Sequence, residues 1–204
     1  MRLDASVAAR NFADVIARVE PVAERECRVR APRLNCDFMI VVDDRPGVPP
    51  NAFQTLDRSG RPVIGFTLAL VAEARNQDEL AFILGHEAGH HIAGHLPRRQ
   101  QTALAGALIL GVLAAAGGGD SGAVRAAQDI GATVGARTYS RDFELEADRL
   151  GAVIAYRAGH DPERGAAYFT RIPDPGNQFL GTHPPNAQRI EVVRSETARL
   201  RAGG

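Results

Sequence analysis

The run His86-Glu87-Ala88-Gly89-His90 carries the chemistry that can be read first. On an α-helix, positions four apart lie only about 40° apart around the axis, so both imidazoles face one way. Their separation suits two corners of the tetrahedron that zinc prefers. Glu87 follows the first histidine and therefore stands beside such a cation rather than on it. A divalent cation lowers the pKa of water toward neutrality, and a carboxylate placed there can take the proton. The pattern points to metal-assisted hydrolysis.

Two histidines alone hold zinc poorly, so a further ligand is needed. Glu144-Leu145-Glu146-Ala147-Asp148 offers one. Glu144 and Asp148 share a helical face, and Glu146 points to nearly the opposite side. Glu144 can then be a ligand while Asp148 reaches the second ring nitrogen of a ligand histidine, a common arrangement around metals. The competing reading is a solvated face on which both acids pair with Arg141 or Arg149. His91 is about 100° round the helix from His90, and His95 lies roughly opposite His86. Neither joins the same cation unless the helix breaks, so structural or surface roles are expected. His160, after Gly159, is expected in a loop.

The elements that must position these residues follow from periodicity and punctuation. Residues 4 to 25 place Val7, Phe12, Val15, Ile16, Val19 and Val22 at helical spacing, as in a surface helix. Phe38 to Val42 reads as a short buried strand. Ala52 to Leu56 and Pro62 to Leu68 flank Asp57-Arg58-Ser59-Gly60, a hairpin signal. Asn76 or Asp78 caps the helix bearing the motif, which runs to about His95 with Pro97 marking its end. Residues 103 to 116 are uncharged and apolar and close on Gly117-Gly118-Gly119. A bilayer span needs about 20 such residues, so a buried or site-covering helix is expected, with peripheral membrane contact as the alternative. Residues 121 to 136 form a second small-residue helix that can pair with it. Further helices are expected over Ser140 to Ala158, from Pro162 toward Pro173, and over Asn186 to Leu200, with residues 173 to 185 as a loop.

The 204 residues, 45% of them hydrophobic, suit one domain with a real core. The expected division is residues 1–36 as an N-terminal helix with the cysteine pair, and residues 37–204 as the catalytic core. The fold class is α+β: a mostly helical, zincin-like domain with a small β-sheet. The formal net charge is zero, so no basic excess argues for nucleic acid. Cys27 and Cys36 leave three readings: a disulfide, two buried thiols, or an oxidation-sensitive pair. Met1 to Arg10 lack the apolar core of a secretion signal, which fits either a cytoplasmic protein or the mature form of an exported one.

The pair His-Glu-x-x-His and Glu-x-x-x-Asp, with Ser140-Arg141 ahead of the second motif, resembles the gluzincin metallopeptidases. Within them it is similar to the family of HtpX, BepA and the CAAX prenyl proteases, over about Asn51 to Ile190. The Asn51-Ala52-Phe53 strand, the segment Asp78-Glu79-Leu80-Ala81 and Thr182-His183-Pro184 fit the same pattern. The resemblance implies a zinc endopeptidase with one zinc ion, Glu144 as third ligand and Glu87 as general base. It also implies that His183 lies near the metal, stabilising the oxyanion or occupying the open coordination position, and that Arg189 lies near the site. Unlike HtpX and the prenyl proteases, this chain has no clear transmembrane helix, so it is more similar to the soluble, periplasmic members. Expected partners are protein or peptide substrates, unfolded or misfolded ones above all, taken up along the edge of the small sheet near Ala52 to Leu56. The alternative is a latent zinc-binding or chaperone-like module whose site is closed by residues 103 to 136.

Overall fold

The computed structural model describes residues 4–138, 140–174 and 183–203. The Asp4 side chain accepts a hydrogen bond from the Ser6 N–H and so caps α1, Ala5–Arg30. Phe12, Val15, Val19 and Val22 form its buried stripe, and the helix continues beyond residue 25. A disulfide joins Cys27 to Cys36 across the turn that follows, with Cα atoms 5.7 Å apart, so the first of the three cysteine readings holds. Glu26 is buried and pairs with Arg30 in its own helix and with Arg157 from a distant one.

Three strands follow: β1 Met39–Asp43, β2 Ala52–Leu56 and β3 Pro62–Thr67. β2 and β3 are the antiparallel hairpin that the turn at residues 57–60 implies. β1 pairs with β3 in parallel, giving the order β1-β3-β2 and leaving β2 at an edge. β3 is buried along its whole length, as a central strand must be. Its last residue, Thr67, turns its hydroxyl oxygen to the Leu70 N–H and opens α2, Leu68–Glu73.

Asn76 caps α3, Gln77–Ile92, by accepting from the Glu79 N–H. This helix is buried along nearly its full length and shares one apolar cluster with α1 and the sheet, through Phe12, Phe66, Leu80 and Leu84. It ends earlier than expected. Gly94 takes a left-handed φ of 65°, a conformation that glycine adopts at little cost. His95 then opens a separate helix, α4, His95–Ala116. Pro97 therefore sits in the first turn of α4, where a missing N–H is harmless, rather than ending α3. α5, Ser121–Thr138, returns alongside α4, and α6 is Ser140–Arg157. The chain closes with α7 Pro162–Ala166, a 3-10 turn over Ala167–Thr170, and α8 Asn186–Arg201. The molecule is thus α+β, mostly helical with one small sheet, as its sequence implies. The expected loop at 173 to 185 lies mostly outside the described residues, as does Thr182.

The α4–α5 hairpin corrects the expectation for residues 103 to 116. Apart from Gly111 they are not buried, and none of them lines the site cavity. Leu104, Leu108, Ile109, Val112 and Leu113 are each more than 60% exposed. The two helices meet through small residues instead: a methyl group on Gly106 would stand 2.0 Å from the Gly131 carbonyl oxygen, and one on Gly135 2.0 Å from that of Thr102. The backbones touch, and the large side chains have no room between them.

Candidate metal centre

The site is made by the crossing of α3 and α6. A methyl group on Gly85 would stand 2.9 Å from the Gly151 carbonyl oxygen and one on Gly89 3.0 Å from that of Ala147, so α3 and α6 lie backbone to backbone. That approach brings the two sequence motifs together. The Nε2 atoms of His86 and His90 are 3.0 Å apart. Glu144 stands 3.6 Å from the first and 3.3 Å from the second, measured from its two carboxylate oxygens. One ligand atom from each of His86, His90 and Glu144 lies within 4.8 Å of the others.

Hydrogen bonding shows what this cluster can hold. His86 Nδ1 is 2.9 Å from Asp148 Oδ1, and His90 Nδ1 is 2.8 Å from His95 Nδ1. With the protons on both Nδ1 atoms, two Nε2 lone pairs and a carboxylate converge with no hydrogen to share. A cation satisfies that set, and the set of two imidazoles with one carboxylate is a known zinc type. The residues fit a metal on donor chemistry alone.

Asp148 is fully buried, and Arg189 grips both of its oxygens at 2.7 Å. Burial would raise the Asp148 pKa, but Arg189 and His86 outweigh it and hold the carboxyl below its usual range. Burial likewise works against a charged His86, yet Asp148 keeps its pKa above the ordinary value. Arg189 also reaches Glu144 at 3.4 Å and lies over the Phe169 ring at 4.0 Å. Arg189 thus lies against both acids, and Asp148 is fully buried rather than on a solvated face.

Glu87 is buried and lines a cavity of about 610 Å³ together with His86, His90, Glu144 and His183. Burial pushes its carboxyl above the usual range, with the Glu144 charge adding to the rise. Among the described residues nothing donates a hydrogen bond to Glu87, so its carboxylate is available to the cavity. His183 is half exposed, with Nε2 3.8 Å from Glu144. Pro50 to Gln54, running into the edge strand β2, form one wall. From α4 only His95, Leu96 and Arg99 line the cavity. The closure by residues 103 to 136 that a latent module requires is not made by the described residues.

Sequence reasoning missed His95. Because α3 breaks at Gly94, His95 swings back against His90 instead of pointing away. Its ring stacks on Phe143 at 4.5 Å, and its Nε2 is 3.1 Å from Glu146, which also binds Arg98 at 2.8 Å. Burial pushes the His95 pKa down to about 4, against the pull of Glu146. The available signal was Gly94 itself, two residues past the last apolar position of α3. His91 is structural, meeting the Asn35 carbonyl oxygen at 2.7 Å. His160 lies in the loop between α6 and α7, as expected, and is buried there against Asp78 at 3.2 Å.

The chain is 28% identical over 151 residues to a beta-barrel assembly-enhancing protease of Yersinia pestis, covering 65% of this chain and 30% of that protein. It is 29% identical over 133 residues to the metalloprotease LoiP of Escherichia coli, covering 62% and 51%. It is 27% identical over 139 residues to the mitochondrial metalloendopeptidase OMA1 of Arabidopsis thaliana, covering 64% and 27%. The chain thus spans between about a quarter and a half of the length of these relatives. The model of peptidase family M48 matches residues 9–197, from α1 through most of α8. With both motifs, the helix crossing and nearly the whole chain inside that match, this protein belongs to peptidase family M48.

Proposed function

We propose that the chain is a zinc-dependent endopeptidase in which His86, His90 and Glu144 hold one zinc ion and Glu87 is the general base. The observation that carries this reading is the convergence of the His86 and His90 Nε2 atoms and the Glu144 carboxylate, with each Nδ1 facing a partner of its own. When bound, zinc supplies Lewis-acid polarisation of the scissile carbonyl and acidifies water. Glu87, on the cavity wall, takes a proton from the attacking water and returns it to the leaving amine. His183 offers an N–H to the oxyanion from the open side of the site. Asp148 and Arg189 keep the His86 ring oriented from behind.

The substrate is a protein segment in extended conformation. β2 is an edge strand, and residues 50–54 line the cavity, so an unfolded chain can add to the sheet and pass its backbone before Glu87. Loose sequence preference follows, because main-chain hydrogen bonds supply most of the recognition. Residues 1–204 act as one metallopeptidase domain, since α1 shares its apolar cluster with α3. The disulfide supports a periplasmic or otherwise exported setting.

Contact with a membrane surface is supported by α4. It is 22 residues long and apolar, and only 6% of its most apolar window is buried. Arg125, Asp129 and Arg137 on α5 argue against a crossing, so the outward face of α4 lies in the plane of the interface.

Metal analysis and casein cleavage, on the unaltered protein and on Glu87→Gln, test the central reading. Both should hold one zinc ion, and cleavage should fall about 10²- to 10⁴-fold in the variant. Full activity in Glu87→Gln, or no bound zinc in either protein, overturns it.

A further inference from the structure

The two ligand histidines are supported differently. His86 meets a buried carboxylate directly, whereas the ring behind His90 is another imidazole. We propose that His95 is a positioning residue for His90, connecting it to the Glu146 carboxylate through a neutral imidazole. This inference rests on the assignment of His90 as a ligand.

The proton count supports it. If His90 turns a lone pair on Nε2 toward His86 and Glu144, its proton is on Nδ1. That N–H faces His95 Nδ1 at 2.8 Å, so His95 must accept there. The His95 proton is then on Nε2, which faces Glu146 Oε2 at 3.1 Å. Every donor meets an acceptor, and neither imidazole needs a charge. Glu146 is balanced by Arg98 at 2.8 Å, as Asp148 is balanced by Arg189. Both arms therefore run from ligand histidine to carboxylate to arginine, and one of them has an imidazole inserted.

The inserted ring is held in place. Its side chain is 5% exposed. It stacks on Phe143 at an interplanar angle of 11°, and the Arg98 guanidinium lies 4.4 Å from the centre of the Phe143 ring. Phe143 and Glu146 flank Glu144 on α6, so the third ligand and the support of the second come from the same turns of one helix. His95 is the first residue of α4, placed by the Gly94 break. A purely structural His95 would need the stacked ring but no acceptor facing His90.

That difference defines the test, read by zinc affinity in competition with a chromophoric chelator and by the visible spectrum of the Co²⁺-substituted protein. His95→Phe keeps a stacking ring and removes the acceptor. It should bind zinc about 10- to 100-fold more weakly, the range for loss of such outer partners, and alter the Co²⁺ spectrum. His95→Asn loses the ring but keeps an acceptor oxygen near the Nδ1 position, and should restore most of the affinity. Zinc binding by His95→Phe equal to that of the unaltered protein overturns the proposal, as does an equal loss in both variants. Glu146→Ala, at a half-exposed position, gives the answer even where His95→Phe does not fold: weaker zinc binding supports the relay, and unchanged affinity overturns it. An unaltered protein that binds no zinc overturns the metal centre and this inference together, whereas the outcomes above overturn the relay alone.

Discussion

A methyl group on Gly151 would stand 2.9 Å from the backbone nitrogen of His86. The helix that carries Glu144 is thus seated against the helix that carries both histidines, backbone to backbone. Gly151→Ala should force α3 and α6 apart at a cost of about 1 to 3 kcal/mol, the usual penalty for overpacking a filled core. Because the displacement separates Glu144 from His86, zinc affinity should fall along with stability. Urea denaturation of the metal-free protein and a chelator competition measure the two effects. Lower stability with unchanged affinity would show that the crossing distance does not control the site.

Arg189→Met leaves Asp148 buried without its cation. Breaking a buried ion pair by removing one partner costs about 3 to 5 kcal/mol, and the metal-free protein should lose stability on that scale. Conversely, Asp148→Asn removes the charge with its shape kept, and should weaken zinc binding about 10- to 100-fold. Together the two variants separate folding from ligand orientation.

Glu26 makes a pH dependence visible away from the candidate metal centre. Burial would raise its pKa, but Arg157 and Arg30 prevail and hold it below the usual 4.5. Its contribution to stability is therefore fully present above that value and is lost as the pH falls through the lower folded value. Glu26→Gln should cost about 1 to 2 kcal/mol at neutral pH, as for weakened charged hydrogen bonds. It should also flatten the fall in stability below pH 4.5, as followed by thermal melts across the acid range. An unchanged acid slope would remove Glu26 from that account.

The exposed face of α4 predicts binding to vesicles of zwitterionic and anionic phospholipid. Leu108→Asp combined with Val112→Asp places two charges on that face and should abolish co-flotation while leaving casein cleavage unchanged. Flotation equal to that of the unaltered protein would rule out α4 as the contact.

What was legible in the sequence was what local spacing encodes. His86 and His90, and again Glu144 and Asp148, share faces because one helical period fixes both pairs. Asn76, Gly159 and the turn at residues 57–60 marked element ends by their own chemistry. Long-range facts left no such trace. The parallel pairing of Met39 with Val63 has no local signal, and the cysteine spacing fitted a bridge without requiring one. The stop at Gly94 was not legible, because the helical pattern expected to run to about His95 passes through it, and a continuous helix hides the contact of His95 with His90. Residues 103 to 116 look the same whether their apolar side chains turn inward or outward, because composition does not record what lies opposite. Only the near-contact of Gly106 with Gly131 decides the matter.

Beyond Arg99, the last residue of α4 on the cavity wall, the α4–α5 arm leaves the site and returns at Ser140, and the helix crossing beneath fixes both ends. A connection anchored in this way enters the free energy only logarithmically with its length: each doubling, even of a flexible one, costs about 0.6 kcal/mol. The arm can therefore be shortened, extended or given a different outer face with little effect on the ligand geometry. Changes in reach and attachment can concentrate in this one arm while the hydrolytic apparatus stays constant.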